Sequence, residues 1–304
     1  MKIGRLAENV WKRSVRKNLK SRKFKTVGTR MSMIPFSSRM GAIAVYDVVN
    51  SSLCTSAQIE GIVLSLMIDG RCSEEYVQHI VRDADEIAKK LCVNIKGFDV
   101  HIVQGLKKPF VNGYAITKNE RPEMCPNADE DIVVIGNIAM AGTVIITEDK
   151  YEELRSRFSE IYLESAKSII DDLSLLKVQD ILACSDNAYS YMSALSEGGI
   201  NAALWEMADM GGVGLDIQLK NIPIKQETVE VCNYFDINPY ELTSSGALLV
   251  TCKDGQALID KLYESGVEAT IIGRTNSSND KLIINEDEKR FLTVPATDGI
   301  YEIT

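Results

Sequence analysis

Histidine is scarce in this chain of 304 residues, and its cysteines form no recognisable pairing pattern. The two histidines, His79 and His101, argue against a histidine-based zinc site and against a Ser-His-Asp triad. The seven cysteines are scattered, with no Cys-x-x-Cys pair, at positions 54, 72, 92, 125, 184, 232 and 252. This odd number predicts reduced thiols in a cytoplasmic protein rather than a disulfide framework.

Long hydrophobic runs are also missing. The longest apolar stretch, residues 132–147, is interrupted by Gly136 and Asn137 and is too short to span a bilayer. No apolar stretch follows the charged residues at the start of the sequence, which argues against a signal peptide. We therefore expect no membrane association.

Positive charge is concentrated at the start of the chain. The formal net charge is −9, which argues against a general nucleic-acid binder. Residues 1–25 nevertheless contain ten lysines or arginines and a single acid, Glu8. Apolar periodicity predicts a helix with one face turned inward. Docking of this arm on a neighbouring subunit or on an anionic ligand remains open. RNA binding is disfavoured because few aromatic residues interleave with the charges.

The sequence divides into a basic arm over 1–30, a first domain over 31–120 and a second domain over 128–304. The boundary lies in the polar, proline-containing segment 118–131. In the first domain the pattern predicts an α+β order: a helical element over 41–49, a strand over 59–68, a helix over 73–91 capped by Ser73, and strands over 93–103 and 110–117.

The second domain is predicted to alternate strands with helices, as in an α/β layer architecture. Strands are expected over 213–219, 246–252 and 268–274, with helices near 226–235 and 254–265, and with a final hairpin around the segment Asn-Ser-Ser-Asn-Asp.

The stretch Ser-Ala-Leu-Ser-Glu-Gly-Gly, residues 193–199, opens a helix with an apolar face. Ser196 is the candidate N-cap, and a glycine at 211 or 212 is the candidate left-handed C-cap. The amides of Gly198 and Gly199 would then lie in the first helical turn, where the helix dipole favours an anion. The same glycines are equally consistent with ordinary turn chemistry. The predicted buried face consists of Ile200, Ala203, Leu204, Met207 and Ala208.

From residue 193 onward the chain resembles the C-terminal domain of the AIR synthase-like superfamily. The similarity includes the Ser-Glu-Gly-Gly turn, a Val-Gly-Leu strand, Ile-Pro-Ile, an Asn-Pro after a helix, and Ser-Ser-Gly before a strand. Residues 131–147 resemble the Gly-x-x-Gly-x-x-Gly turn of this domain, with Ala139 at the middle glycine. The superfamily includes AIR synthase, selenophosphate synthetase, thiamine-monophosphate kinase and the hydrogenase maturation factor that dehydrates a carbamoyl group.

This resemblance implies a two-domain fold: an α+β N-terminal domain that forms a dimeric β-barrel, and an α/β C-terminal domain. It also implies a homodimer and a cleft for ATP and magnesium. The residues that it assigns to phosphate or nucleotide binding are Ser196, Glu197, Gly198, Gly199, Asn50, Gly97, Asp99, Gly136 and Gly142.

Several positions depart from the superfamily pattern. Ala194 replaces an aspartate, Asn50-Ser51 replaces an Asn-Asp pair, and the segment 26–41 contains no acid. Most magnesium ligands of the relatives are therefore missing, and no metal site is predicted. Asp99 and Asp47 are candidate replacements. We expect a homodimer that retains the phosphate cleft in a binding or regulatory role, without the usual Mg-ATP turnover. The alternative is an ATP-dependent enzyme of the AIR synthase or carbamoyl dehydratase type with shifted ligands.

Overall fold

The computed structural model describes residues 32–34, 37–120, 124–183, 189–294 and 297–303, and the predicted basic arm over 1–30 lies outside them. The helices are α1 (Met40–Thr55), α2 (Glu74–Lys90), α3 (Met140–Asp149), α4 (Tyr151–Leu154), α5 (Glu160–Ser168), α6 (Leu176–Ala183), α7 (Gly199–Gly211), α8 (Gln226–Tyr234), α9 (Gly255–Glu264) and α10 (Ile300–Ile303). Within the described ranges, every helix falls short of the length and apolar character that crossing a bilayer requires.

The strands form two sheets. They are β1 (Ser32–Ile34), β2 (Ser56–Ile68), β3 (Ile95–Ile102), β4 (Phe110–Glu120), β5 (Asp131–Ile135), β6 (Tyr191–Ala194), β7 (Gly214–Gln218), β8 (Leu248–Cys252), β9 (Ala269–Asn276), β10 (Lys281–Asn285) and β11 (Glu288–Phe291). The N-terminal sheet has the order β1-β4-β2-β3, and the C-terminal sheet has the order β11-β10-β7-β9-β5-β8-β6.

The N-terminal sheet follows the predicted order of elements. α2 connects β2 to the parallel strand β3, and β4 pairs with β2 in the antiparallel direction. Ser73 caps α2 as predicted, because its hydroxyl accepts a hydrogen bond from the amide of Tyr76 at 3.2 Å. The short strand β1 was not expected, since its segment is predicted as a loop; it pairs with β4.

α1 is buried on almost every side, which explains why its sequence is apolar all round rather than on one stripe. It packs between the N-terminal sheet and β6 of the C-terminal sheet. Its polar residues are buried as well, including Asp47 and Asn50. We call the contact region of α1 with β6 and with residues 173–175 the seam.

The C-terminal sheet differs from the prediction in two ways. Helices alternate with strands along the chain as predicted, but five of the six neighbouring strand pairs are antiparallel, so the domain is a mixed α+β arrangement rather than the predicted α/β layer architecture. The predicted hairpin around residues 276–280 is wrong. β7 lies between β9 and β10, and the last hairpin joins β10 to β11 instead.

Candidate functional site

The glycine turn before α7 has a tighter geometry than predicted. Gly198 and Gly199 have φ angles of 80° and 65°, in the left-handed region that glycine adopts readily. Gly198 is therefore the N-cap, and the prediction of Ser196 at that position is wrong. The carbonyl of Ser196 instead accepts a hydrogen bond from the amide of Gly199 at 3.2 Å, which closes the turn.

The helix itself follows the sequence prediction. All five residues of the predicted apolar face of α7 are buried. Gly212 is the C-cap, with a left-handed φ of 61° and its amide bonded to the carbonyl of Ala208. The turn is therefore held on a helix whose apolar face is packed in the core.

The predicted glycines of the second half converge on one loop, residues 239–246. A Cβ on Gly199 would lie 2.6 Å from the carbonyl oxygen of Tyr240, and a Cβ on Gly142 would overlap the side chain of Leu242. Gly142 lies inside α3, and its amide donates to the carbonyl of Thr243 at 3.0 Å. A Cβ on Gly136 would lie 3.0 Å from the carbonyl oxygen of Gly246. Close backbone packing thus accounts for these glycines without a ligand.

Ala139 has a backbone conformation that glycine adopts more readily than alanine. It is the N-cap of α3 and has a left-handed φ of 58°. Its amide donates to the hydroxyl of Ser244 at 2.7 Å. The amide of Ser244 in turn donates to the carbonyl of Ser196 at 3.1 Å. The two turns before α3 and α7 are therefore joined through one serine, whose importance the sequence indicated only through the Ser-Ser-Gly resemblance.

A carboxylate from the far end of the chain lies on the glycine turn. Asp298 Oδ2 accepts a hydrogen bond from the amide of Gly198 at 2.6 Å. Asp298 Oδ1 accepts from the amides of Thr243 at 3.2 Å and Ile300 at 2.9 Å. The residue is 2% exposed. The turn at the N-terminus of α7 is therefore occupied by a carboxyl oxygen that belongs to the chain itself, and the predicted binding of an external anion there stays a prediction.

The surroundings of Asp298 oppose its charge. Burial raises its pKa to about 7, the neighbouring Glu197 acts in the same direction, and the three amide donors act in the opposite one. The hydroxyl of Tyr301 donates to Glu197 Oε1 at 3.2 Å, so the predicted site residue Glu197 contacts the same C-terminal segment. No sequence signal identifies Asp298, because Asp-Gly is a common turn pair.

Asn50 has a bridging position in the seam. Its Nδ2 donates to the carbonyl of Leu173 at 2.7 Å, and its Oδ1 accepts from the amide of Leu175 at 3.1 Å. Two buried hydroxyls belong to the residues next to these in the chain: Ser51 follows Asn50, and Ser245 precedes Gly246, which packs on Leu173. Neither hydroxyl makes a hydrogen bond within the described part of the chain.

Gly97 and Asp99 lie apart from these residues in the fold. Both are on β3, at the edge of the N-terminal sheet, and the side chain of Asp99 is exposed. Asp47, the other candidate replacement ligand, is buried in α1. Among the described residues, no group of three His, Cys, Asp or Glu side chains is arranged to hold a metal ion. The described residues therefore do not fit a magnesium ion held by protein ligands.

Three comparisons identify similar proteins. A Methanocaldococcus jannaschii protein named for hydrogenase expression/formation is 26% identical over 270 residues, which cover 86% of this chain and 78% of that protein. The crystal structure of E. coli HypE, a hydrogenase maturation protein, has a TM-score of 0.69 at 18% identity, covering 90% of this chain and 88% of that chain. A structure of HypE in complex with ATP has a TM-score of 0.65 at 13% identity and 98% coverage of both chains.

These comparisons confirm the predicted superfamily and the two-part fold. They agree with the hydrogenase-maturation alternative and give no support to the expectation of a protein without turnover, which stays a prediction. Residues 128–285 match the family described as AIR synthase related protein, C-terminal domain. Because this match covers more than half of the chain, the protein belongs to the AIR synthase-related family.

Proposed function

We propose that this protein binds ATP as a hydrogenase-maturation type member of its family, with the phosphates directed at the turn Ser196–Gly199. One observation carries the proposal: the amide of Gly198, at the start of α7, already binds a carboxylate oxygen at 2.6 Å. A helix N-terminus that stabilises a carboxylate has the geometry and the dipole that a phosphate requires. The ATP complex of a structural neighbour supports the choice of ligand.

The seam is the proposed place for the rest of the nucleotide, between domains that span 31–120 and 128–304. The unpaired hydroxyls of Ser51 and Ser245 support this position, because buried polar groups are rarely left without a partner. A polar ligand or water in the seam would supply the missing hydrogen bonds. Asn50, Gly136 and Gly142 would then support the site through the packing of α1 and of the loop 239–246.

We also propose a homodimer through the N-terminal sheet, in the form of the predicted dimeric barrel. Large apolar side chains are exposed on β3 or just beyond it: Val100 by 41%, Ile102 by 73% and Val103 by 38%. Contiguous exposed apolar side chains indicate an interface. Ile102→Glu should halve the mass measured by light scattering, whereas Ile161→Glu, at an exposed helix position, should leave it unchanged.

Calorimetric titration of ATP, with and without magnesium chloride, tests the proposed binding. Ser196→Glu adds a negative charge beside the turn and should weaken ATP binding about ten-fold or more. Ser277→Glu is the matched control. It adds the same charge near the C-terminal end of α7, because Ser277 follows Asn276, which pairs with the first residue of β7. The proposal is wrong if the wild-type chain binds no ATP in either condition.

Phosphate release measured on the same samples separates the two functional alternatives. Magnesium-dependent release would favour the ATP-dependent enzyme, with ligands outside those described. ATP binding without release would favour the predicted binding or regulatory role.

A further inference from the structure

The segment 297–303 is attached to both sides of the glycine turn. Asp298 accepts hydrogen bonds from the amides of Gly198 and Thr243, which lie on the turn and on the loop 239–246. The amide of Gly299 donates to the carbonyl of Glu241 at 3.1 Å. Ile300 is buried beside these contacts, with 1% of its surface exposed. The segment thus covers the turn rather than lying loosely over it.

Asp298 is held as a bound anion would be. Within the described residues no lysine or arginine forms an ion pair with it, and the facing titratable groups are Glu197 and Tyr301. Backbone amides and the dipole of α7 are therefore its main electrostatic compensation. A phosphate oxygen at Gly198 would use these same donors, so the carboxylate and the phosphate exclude each other.

We propose that residues 297–303 are an internal occupant of the glycine turn, in which the Asp298 carboxylate takes the place of a ligand oxygen and must leave before a phosphate reaches Gly198. This inference rests on the proposed function, because it concerns the same turn. Binding of a polyphosphate and docking of the segment are then competing equilibria, and the free energy of docking lowers the measured affinity for the ligand.

Displacement can be measured on the unmodified chain by hydrogen–deuterium exchange. Saturating sodium tripolyphosphate should speed exchange in residues 297–303 and slow it in residues 198–204, while strands β5 and β8 remain unchanged. Tripolyphosphate that binds without changing exchange in residues 297–303 would show that the two do not compete, and the inference would be wrong.

Variants measure the strength of the competition. Asp298→Ala should raise the affinity for tripolyphosphate about ten-fold, because the competing carboxylate is gone. Tyr301→Phe removes only the hydrogen bond to Glu197 and should raise the affinity for tripolyphosphate about two-fold. It provides a second test if Asp298→Ala folds poorly. Glu302→Ala is the control, since Glu302 is exposed on the same segment. Equal affinity in wild type and both variants, or no binding to any of them, would overturn the inference.

The two proposals fail in different ways. If ATP binds equally to wild type and Asp298→Ala, the proposed function stands and the internal occupant is wrong. If tripolyphosphate binds more tightly to Asp298→Ala but ATP binds to neither protein, the occupant stands and the ATP proposal is wrong.

Discussion

Three of the described helices, α1, α7 and α9, begin at an amide that is capped by a carboxylate from a distant part of the chain. The contrast is sharpest between α1 and α7. At α1, the amide of Ala42 donates to Asp83 Oδ2 at 2.8 Å, and Arg39 forms an ion pair with Asp83 Oδ1 at 3.1 Å. At α7, the amide of Gly198 donates to Asp298, for which the described residues provide no such cation. Burial raises the pKa of both carboxyl groups.

The difference between the two caps lies in what else holds each carboxylate. Asp83 lies in the middle of α2, a long regular helix, and its charge is balanced by a guanidinium. Asp298 lies on a short terminal segment beside the like charge of Glu197. The first cap is a permanent part of the fold, whereas the second is a contact that the chain can release without unfolding a sheet.

The largest expected effect is the loss of stability when the cap of α1 is removed. Asp83→Ala should lower the free energy of unfolding by about 3 kcal/mol, because it leaves Arg39 unpaired and the amide of Ala42 without its acceptor. Urea denaturation measures this loss. Asp85→Ala, an exposed position on the same helix, should cost less than about 0.5 kcal/mol. Equal losses in the two variants would show that the cap of α1 is not a structural element.

Removal of the second cap should cost less. Asp298→Ala should lower the free energy of unfolding by about 2 kcal/mol, because the amides of Gly198 and Thr243 lose their acceptor but regain water once the segment leaves. The same urea titrations provide the comparison. A loss larger than that of Asp83→Ala would contradict the distinction between a permanent and a releasable cap.

The stability that the cap of α7 contributes should also depend on pH. The pKa of Asp298 is raised from 3.8 to about 7, so its native-state advantage is fully present below about pH 3.8 and is lost as the pH rises to about 7. The difference in unfolding free energy between wild type and Asp298→Asn should therefore fall across this window, by at most about 1.4 kcal/mol per pH unit for one proton. Parallel stability profiles for the two proteins would contradict the assignment of this proton to Asp298.

The start of α3 tests whether a left-handed backbone angle affects stability at a helix N-terminus without a carboxylate cap. Ala139 has a φ of 58° at the start of α3, where an alanine pays a steric penalty that glycine avoids. Ala139→Gly should raise the free energy of unfolding by about 0.5 kcal/mol after the larger chain entropy of glycine is counted. Thermal unfolding measures the gain, and a loss of stability would show that the methyl group of this buried alanine contributes more by packing.

Local signals in the sequence were sufficient for α2, α7, α8 and α9 and for most strands. The Ser73 cap, the apolar face of α7 and a glycine C-cap at 211 or 212 were all predicted, because each depends on residues a few positions apart. Ser196 was predicted wrongly as a cap because two consecutive left-handed glycines move the start of the helix two residues onward. The position of a cap thus depends on backbone angles that the residue types alone do not fix.

Long-range pairing was outside the reach of local signals. The residue types at 276–280 indicated a hairpin between β9 and β10. In the structure β7, from much earlier in the chain, lies between these two strands. Asp298 lies 100 residues from Gly198 in the chain, and the residues adjacent to it in sequence indicate only an ordinary turn. The glycine turn at the start of α7 could therefore be predicted, whereas the side chain that contacts it could not.

The position of β7 in its sheet also constrains synthesis of the chain. Both of its neighbours, β9 and β10, are translated after it, so a nascent chain carries β7 with two open edges until they emerge from the ribosome. Open strand edges recruit other chains, and incomplete chains are the most exposed to this. Ribosome stalling between residues 218 and 269 would therefore yield an aggregation-prone fragment, and the speed of translation through this interval would govern the yield of folded protein.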